Sequence, residues 1–406
     1  MLISISRNLL YAAFLLLPLT FIKVLSNLSL SDIIIVLAFL TLSISHLGKK
    51  FLAETVILKN VFIIPMVIFT IGFLISLNRT VYALEGVTAY LQIFFIFIIA
   101  YPVLVEVIKD DKQIKILASL LIIPGIVISV LMLLLKFIGI DLGFDLLANE
   151  GWRGRLSYGG MEPNVPGRII LQNIPFLAVF ILAAKKLSTR LFLVTLILVQ
   201  LLAIFLTSSR SNMLAFVLGL LLFVFFISRS GRKLNIRNTA IGLIISALFL
   251  FALYALNSEF IERPLQRYST ILNPQKSPSS MERIRVINMG LDYLDQNPLI
   301  GVGLGNSYIY TKVNVHNPIL LTWVENGVLG TVGFTSLYLV LLFNAFLAYK
   351  YRFLNNELLL GLAVVMMLMV FGDMFMANSY KRVLWLPALL FIVHFKNLKS
   401  TIKVMS

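Results

Sequence analysis

His316 is the residue of this chain best suited to acid–base chemistry. It stands directly before Asn317-Pro318 and a long apolar run. Asn317 there reads as the N-cap of a helix and Pro318 as its first residue, where a missing N–H costs nothing. His316 is thereby set at the positive end of that helix, which disfavours imidazolium and leaves a ring nitrogen able to accept a proton near neutral pH. A neutral, positioned imidazole is a general base. The other two histidines, His46 and His394, fall at the opposite ends of apolar runs beside Lys49 and Lys396 and read as interfacial bystanders.

Arginines supply the second kind of chemistry. Arg210 lies in the short turn Thr207-Ser208-Ser209-Arg210-Ser211-Asn212 between two apolar runs, where an ionised group is expensive unless partnered. Ser209 or Ser211 can cap the following helix, and its first N–H groups favour an anion. Arg267 and Arg283 fall in the polar segment 257–316, Arg153 and Arg155 lie between two earlier apolar runs, and Arg168 opens the second of these. Planar guanidinium forks donate paired hydrogen bonds to oxyanions, so such a group suits a phosphate or pyrophosphate. For any single arginine the alternative is snorkelling to lipid phosphates.

The segment 257–316 has its own organisation. Ser279-Ser280-Met281-Glu282 matches a capping box, and Ile284, Ile287, Leu291 and Leu294 recur at helical spacing. This spacing predicts an amphipathic helix over about 279–297, lying on the membrane face, with Arg283 flanking its apolar stripe and Arg285 on the opposite side. Pro298 ends it, and Gly301, Gly303 and Gly305 allow a close-approaching backbone. No strand precedes those glycines, so they do not form a dinucleotide fingerprint. Glu325, about two turns into the next helix, is an intramembrane carboxylate that would either touch substrate or pair with an arginine. Asn164, in Glu162-Pro163-Asn164, marks a turn that either contacts substrate or starts a helix.

The elements that must position these residues are membrane helices. The 406-residue chain is 59% hydrophobic and only 13% charged, far from a soluble domain. Twelve apolar runs are long enough to cross a bilayer: 8–26, 30–47, 60–77, 88–107, 115–138, 167–184, 190–206, 212–228, 239–256, 317–348, 357–372 and 380–395. The first has no small-residue cleavage site after it and reads as a retained helix. Of the 34 basic residues, 19 gather at the termini or in the loops that follow even-numbered runs. This asymmetry puts both termini in the cytoplasm and the 257–316 segment outside. The whole chain, 1–406, reads as a single polytopic unit, and 257–316 as its large periplasmic loop. The net charge of +16 is mostly this topological signal plus attraction to anionic membrane lipid, and no soluble basic domain exists to bind nucleic acid. Cysteine is absent, which excludes disulfides and thiolate metal sites. No carboxylate pair or histidine cluster has metal-ligand spacing, so neither a metal nor a cofactor is expected.

Three stretches together give the chain a resemblance to the O-antigen ligase/polymerase family of bacterial membrane glycosyltransferases. They are Ser208-Ser209-Arg210 opening the eighth apolar run, Arg283 ahead of Asn297-Pro298-Leu299-Ile300-Gly301-Val302-Gly303-Leu304-Gly305, and His316-Asn317 followed by Glu325-Asn326-Gly327-Val328-Leu329-Gly330. The resemblance implies an all-α, C-type glycosyltransferase fold in the inner membrane with a periplasmic active site. It also implies transfer of a glycan from an undecaprenyl-pyrophosphate donor without metal, with inversion at the anomeric carbon. Carried over by position, Arg210 and Arg283 would hold the pyrophosphate, with Arg267 as a further contact, and His316 would take the acceptor proton. Ile287 departs from the aromatic residue the family often has there.

Members of such a family differ in acceptor. A polymerase joins the growing glycan to another lipid-linked repeat unit and can work with a chain-length regulator; a ligase delivers the glycan to lipid A core. The Glu162-Pro163-Asn164 turn looks more like polymerases. A flippase or other transporter would also explain many helices and outward arginines, but not the crowding of polar residues at the outer face of the second half.

Overall fold

A computed structural model describes residues 1–19, 23–25, 28–138, 155–157, 162–229, 258–271, 273, 275, 277–312, 315–376 and 381–405. Apart from one short antiparallel pairing of Lys23–Leu25 with Leu28–Ser29, the regular structure in those residues is helical. Backbone groups cannot be left unpaired in lipid, and a helix satisfies them within one segment.

Among the described residues, six helices are long and apolar enough to cross a membrane: Ala83–Val107, Asp111–Ile138, Asn164–Ala183, Leu187–Leu206, Arg210–Arg229 and Pro318–Lys350. A seventh span arises if Phe51–Leu58 and Ile63–Arg79, which meet at 82°, are taken as one broken element. Phe51–Leu58 lies where hydropathy alone suggests a loop. Leu2–Leu16 and Leu30–Ser45 are shorter apolar helices. Glu357–Asp373 and Arg382–Met405 are helical over the last two apolar runs. The run 239–256 lies outside the described residues, so the twelve-span count remains an expectation within an all-α membrane protein.

Contacts divide the chain into two compact units. The first comprises Met1–Ile114, Pro278–Tyr351 and Met369–Ser406. Its largest packing surfaces join Ile63–Ser76 to Pro318–Lys350 and Leu2–Leu16 to Leu30–Ser45. Asp32 caps the Leu30–Ser45 helix together with Ser29, and its carboxylate pairs with Arg382 Nε at 2.5 Å. Both side chains are nearly out of solvent, so the pair fixes two helix starts against each other, and losing one partner would strand a buried charge. Tyr338 donates to Asp373 Oδ2 at 2.9 Å in the same unit.

The second unit comprises Lys115–Ser277 and Arg352–Leu368. Here Asn164–Ala183 packs on both Leu187–Leu206 and Arg210–Arg229. The segment expected as a single outer loop is therefore shared. Its first helix, Ser258–Ser269, belongs to the second unit, and its second, Pro278–Gln296, belongs to the first.

Candidate active site

In the first unit the glycine run and the long helix are built together. Pro318–Lys350 is interrupted at Gly327, whose φ of 66° and ψ of −169° leave the helical region. Such a break strips nearby carbonyls and amides of their partners in the helix. The irregular backbone at 299–303 replaces them. Val302 N–H donates to Val324 O at 2.9 Å, Gly303 N–H to Glu325 O at 2.8 Å, and Val328 N–H to Leu299 O at 3.3 Å. A side chain could not be accommodated at this approach, because a Cβ on Gly301 would lie 2.1 Å from the Glu325 carbonyl oxygen. The Glu325 side chain is buried and accepts from Ser307 Oγ at 2.8 Å. It holds the turn after the glycines against the broken helix.

The same helix starts as its sequence requires. Asn317 Oδ1 accepts from the amides of Ile319 and Leu320, both at 3.0 Å, and Pro318 takes the first helical position. His316 is half-buried immediately outside this cap. Beside it Val315, Val286 and Leu321 form a closed apolar cluster, so the residue before His316 is clamped to the loop helix.

That loop helix runs Pro278–Gln296 and is rotated from the orientation its apolar spacing suggests. The stripe turned to protein is Val286, Gly290 and Leu294, whereas Ile284 and Leu291 stay 44% and 45% exposed. Val286 and Leu294 set this face: Val286 packs with Val315 and Leu321, and Leu294 with Val302 and Val324. Glu282, expected to complete a capping box, instead accepts from Arg285 at both oxygens, at 2.5 and 2.9 Å. That bond lowers the Glu282 pKa and raises that of Arg285. Arg283 precedes Val286 by three residues on this helix and so shares its packed face, next to the cluster that seats Val315. It is half-buried there. The residue before His316 and the residue one turn after Arg283 are therefore packed in one cluster.

The second unit gathers arginines around the turn before Arg210–Arg229. Ser208 takes a positive φ of 51°, which turns the chain sharply between two helices, and Ser209 Oγ accepts from Asn212 N–H at 3.4 Å. Arg210 is the first residue of its helix, and its Nη1 donates to Thr270 Oγ1 at 2.8 Å. Thr270 donates in turn to the Arg267 carbonyl at 2.7 Å. Tyr268 hydrogen-bonds the carbonyl of Phe205 at 2.9 Å, pinning the Ser258–Ser269 helix to the same turn. Burial pushes the Tyr268 phenol pKa up, while the charges of Arg155 and Arg267 pull it down. Arg155 spans the cluster, donating from Nε to Thr207 O at 2.9 Å and from Nη2 to Asn164 Oδ1 at 2.8 Å. Asn164 also donates to Glu162.

Within this unit the structure brings together Arg155, Asn164, Arg210 and Arg267. Arg168 is different: it is 1% exposed and donates to Asn212 Oδ1 and to Leu368 O, a bonding pattern of helix packing. Arg153 lies outside the described residues. Sequence reasoning passed over Asn212, which also donates to Asn164 O at 2.9 Å, and Thr270, which seats Arg210. Asn212 is two residues from Arg210 and could have been found by that proximity; Thr270 is far along the chain and carries no local signal. Among the described residues no group of three His, Asp or Glu side chains is gathered as a metal site would need.

The region holding these features is also the region with a known likeness. Residues 193–335 match a family model described as O-antigen ligase, a little over a third of the chain. Over that stretch the chain is similar to the O-antigen ligase/polymerase family, whose members are membrane-embedded, glycosyltransferase-like enzymes. A search of curated proteins gave no match.

Proposed function

We propose that this protein is a surface-polysaccharide polymerase of the inner membrane that works at the periplasmic face. It transfers a glycan from an undecaprenyl-pyrophosphate donor to a lipid-linked repeat-unit acceptor. The observation that supports this reading is the packing of Val286, three residues after Arg283, against Val315, directly before His316, in one cluster with Leu321.

In this reading His316 removes the proton from the acceptor hydroxyl as that oxygen bonds the anomeric carbon. The bond from the anomeric carbon to the donor phosphate breaks on the opposite side, which inverts the centre. The electron pair leaves with the pyrophosphate, and the proton passes from His316 to water. Arg283 neutralises the charge that grows on the leaving group, the most productive use of a fixed guanidinium, with Asn317 bordering the donor beside it. The family resemblance assigns Arg210 and Arg267 of the second unit a pyrophosphate role of their own, with Arg155 and Asn164 next to them. Glu325 acts by holding Ser307 and the glycine turn. Guanidinium groups supply the charge a metal would otherwise provide, so chelators leave the rate unchanged.

The Arg155–Asn164–Glu162 bonding supports the polymerase, since it makes the turn that resembles polymerases part of the arginine cluster. The O-antigen ligase description of the matched model supports the second reading, delivery to lipid A core. The test uses purified protein with a lipid-pyrophosphate-linked repeat unit, alone and then with lipid A core, comparing wild type with His316→Ala. Lengthening products from donor alone, absent in the variant, establish the polymerase. Transfer only after lipid A core is added establishes the ligase. Absence of transfer in both mixtures, with His316→Ala still functional in cells, favours a transporter.

A further inference from the structure

The first unit has an open cleft of about 620 Å³, within the range of small-ligand sites. Its walls come from three places far apart in sequence. Asp292, Tyr293, Gln296 and Asn297 lie at the end of the loop helix, Arg79 in the turn after Ile63–Ser76, and Tyr310 beyond the glycine run. Met289 and Val302 complete it on the apolar side.

From these side chains we infer that the cleft is a subsite for a pyranose of the glycan, separate from the reacting hydroxyl. The Tyr293 and Tyr310 rings pack at 5.0 Å and 48°, giving aromatic surface of the kind the apolar C–H face of a sugar covers. Around them stand a carboxylate, two carboxamides and a guanidinium, which offer both donors and acceptors to a ring of hydroxyls. Arg79 is held in place, since its Nη1 donates to Asn297 Oδ1 at 2.7 Å and it also hydrogen-bonds the Tyr293 phenol. Burial nonetheless pushes that phenol pKa up, so it remains protonated and available as a donor. A phosphate-rich ligand would meet the negative charge of Asp292, and an acyl chain would meet polar walls. A neutral polyhydroxylated ligand matches both.

Position argues the same way. Val286 is packed against Val315, the neighbour of His316, and Tyr293 follows seven residues later on the same straight helix. At 1.5 Å per residue the cleft begins roughly 10 Å farther along the axis than the His316 anchor. It therefore receives a sugar a short way down the chain from the one that reacts. It selects for glycan sequence and length and leaves the bond-making step alone.

The substrate identity rests on the glycosyltransferase reading, but the first test does not need transfer. The probe is lipid-free oligosaccharide of two or more repeat units, released from the host's surface polysaccharide. It is titrated calorimetrically into full-length protein in lipid nanodiscs. Asp292→Asn with Gln296→Ala changes two exposed side chains and should weaken binding at least tenfold, while His316→Ala binds as wild type. In the transfer assay the double variant should raise KM for oligosaccharide acceptors with kcat held. Wild type that does not bind the probe, or a double variant that binds equally well, overturns the subsite. Binding that follows these expectations in a protein without transfer activity supports the subsite and retires the proposed reaction. Transfer with an unchanged KM in the double variant retires the subsite alone.

Discussion

The Gly303 amide donates to the Glu325 carbonyl at 2.8 Å, across a helix that is broken two residues later at Gly327. The bond repairs the break from outside. It also ties the first part of that helix, which Asn317 caps directly after His316, to the loop that follows the amphipathic helix. The residues around the proposed base are thus held by backbone geometry as well as by side-chain packing.

Replacing Gly327 by alanine should lower stability by more than the usual cost of about 1–3 kcal/mol for a strained left-handed residue. A Cβ there would also lie 2.1 Å from the Leu299 carbonyl oxygen. Thermal unfolding followed by size-exclusion chromatography in detergent should show a clear drop in midpoint. A midpoint equal to wild type would mean that the break is not required.

His316→Ala should reduce transfer by about 10²–10⁴-fold, the usual contribution of a positioned base. Donor affinity should change little, because the arginines remain. Single-turnover rates with radiolabelled donor would separate these quantities. A variant that lost donor binding and kept its chemical rate would reassign His316 to the pyrophosphate.

Arg210→Ala should lower the transfer rate by about 10²–10³-fold, comparable to removing one fixed donor from a developing negative charge. Arg210→Lys should recover only part of this, since an ammonium cannot make the paired bonds of a guanidinium. Arg285→Ala provides the contrast. Its partner Glu282 is a surface residue three positions away, and loss of the pair should leave the rate within twofold. Parallel rate measurements on the three variants would check the ordering, and equal losses in all of them would argue against a pyrophosphate role for Arg210.

Arg168→Met should behave unlike Arg210→Ala. It removes buried hydrogen bonds to Asn212 and Leu368 O, and stranding such partners costs about 1–3 kcal/mol each. The expected outcome is a lower unfolding midpoint, with the remaining folded protein still binding donor. An unchanged midpoint with lost donor binding would move Arg168 into the site.

Much of the local structure was legible from the chain alone. Asn317-Pro318 specified a helix start because an amide oxygen and a residue without N–H satisfy the needs of a first turn, and the cap formed. Ser209 or Ser211 was recognisable as a cap beside Arg210 for the same reason, and Ser209 is the one that accepts from the Asn212 amide. The amphipathic helix was also foreseen, but its rotation was not. Counting apolar residues favoured Ile284 and Leu291, yet the packed face is the one on which Val286 and Leu294 meet Val315, Leu321, Val302 and Val324.

Sequence by itself determined that the chain is dominated by apolar helices and that Asn317-Pro318 starts one of them, because both depend on neighbours within a turn or two. Tertiary structure alone decided that Glu325 is occupied by Ser307, that Arg382 belongs to Asp32, and that Arg79 joins Tyr293 and Tyr310 in one cleft. It also decided that Arg168 is a packing residue while Arg155 joins Arg267 at Tyr268. These pairings link residues tens to hundreds of positions apart. They are settled by which helix faces pack closely enough to exclude solvent, and no local spacing encodes that.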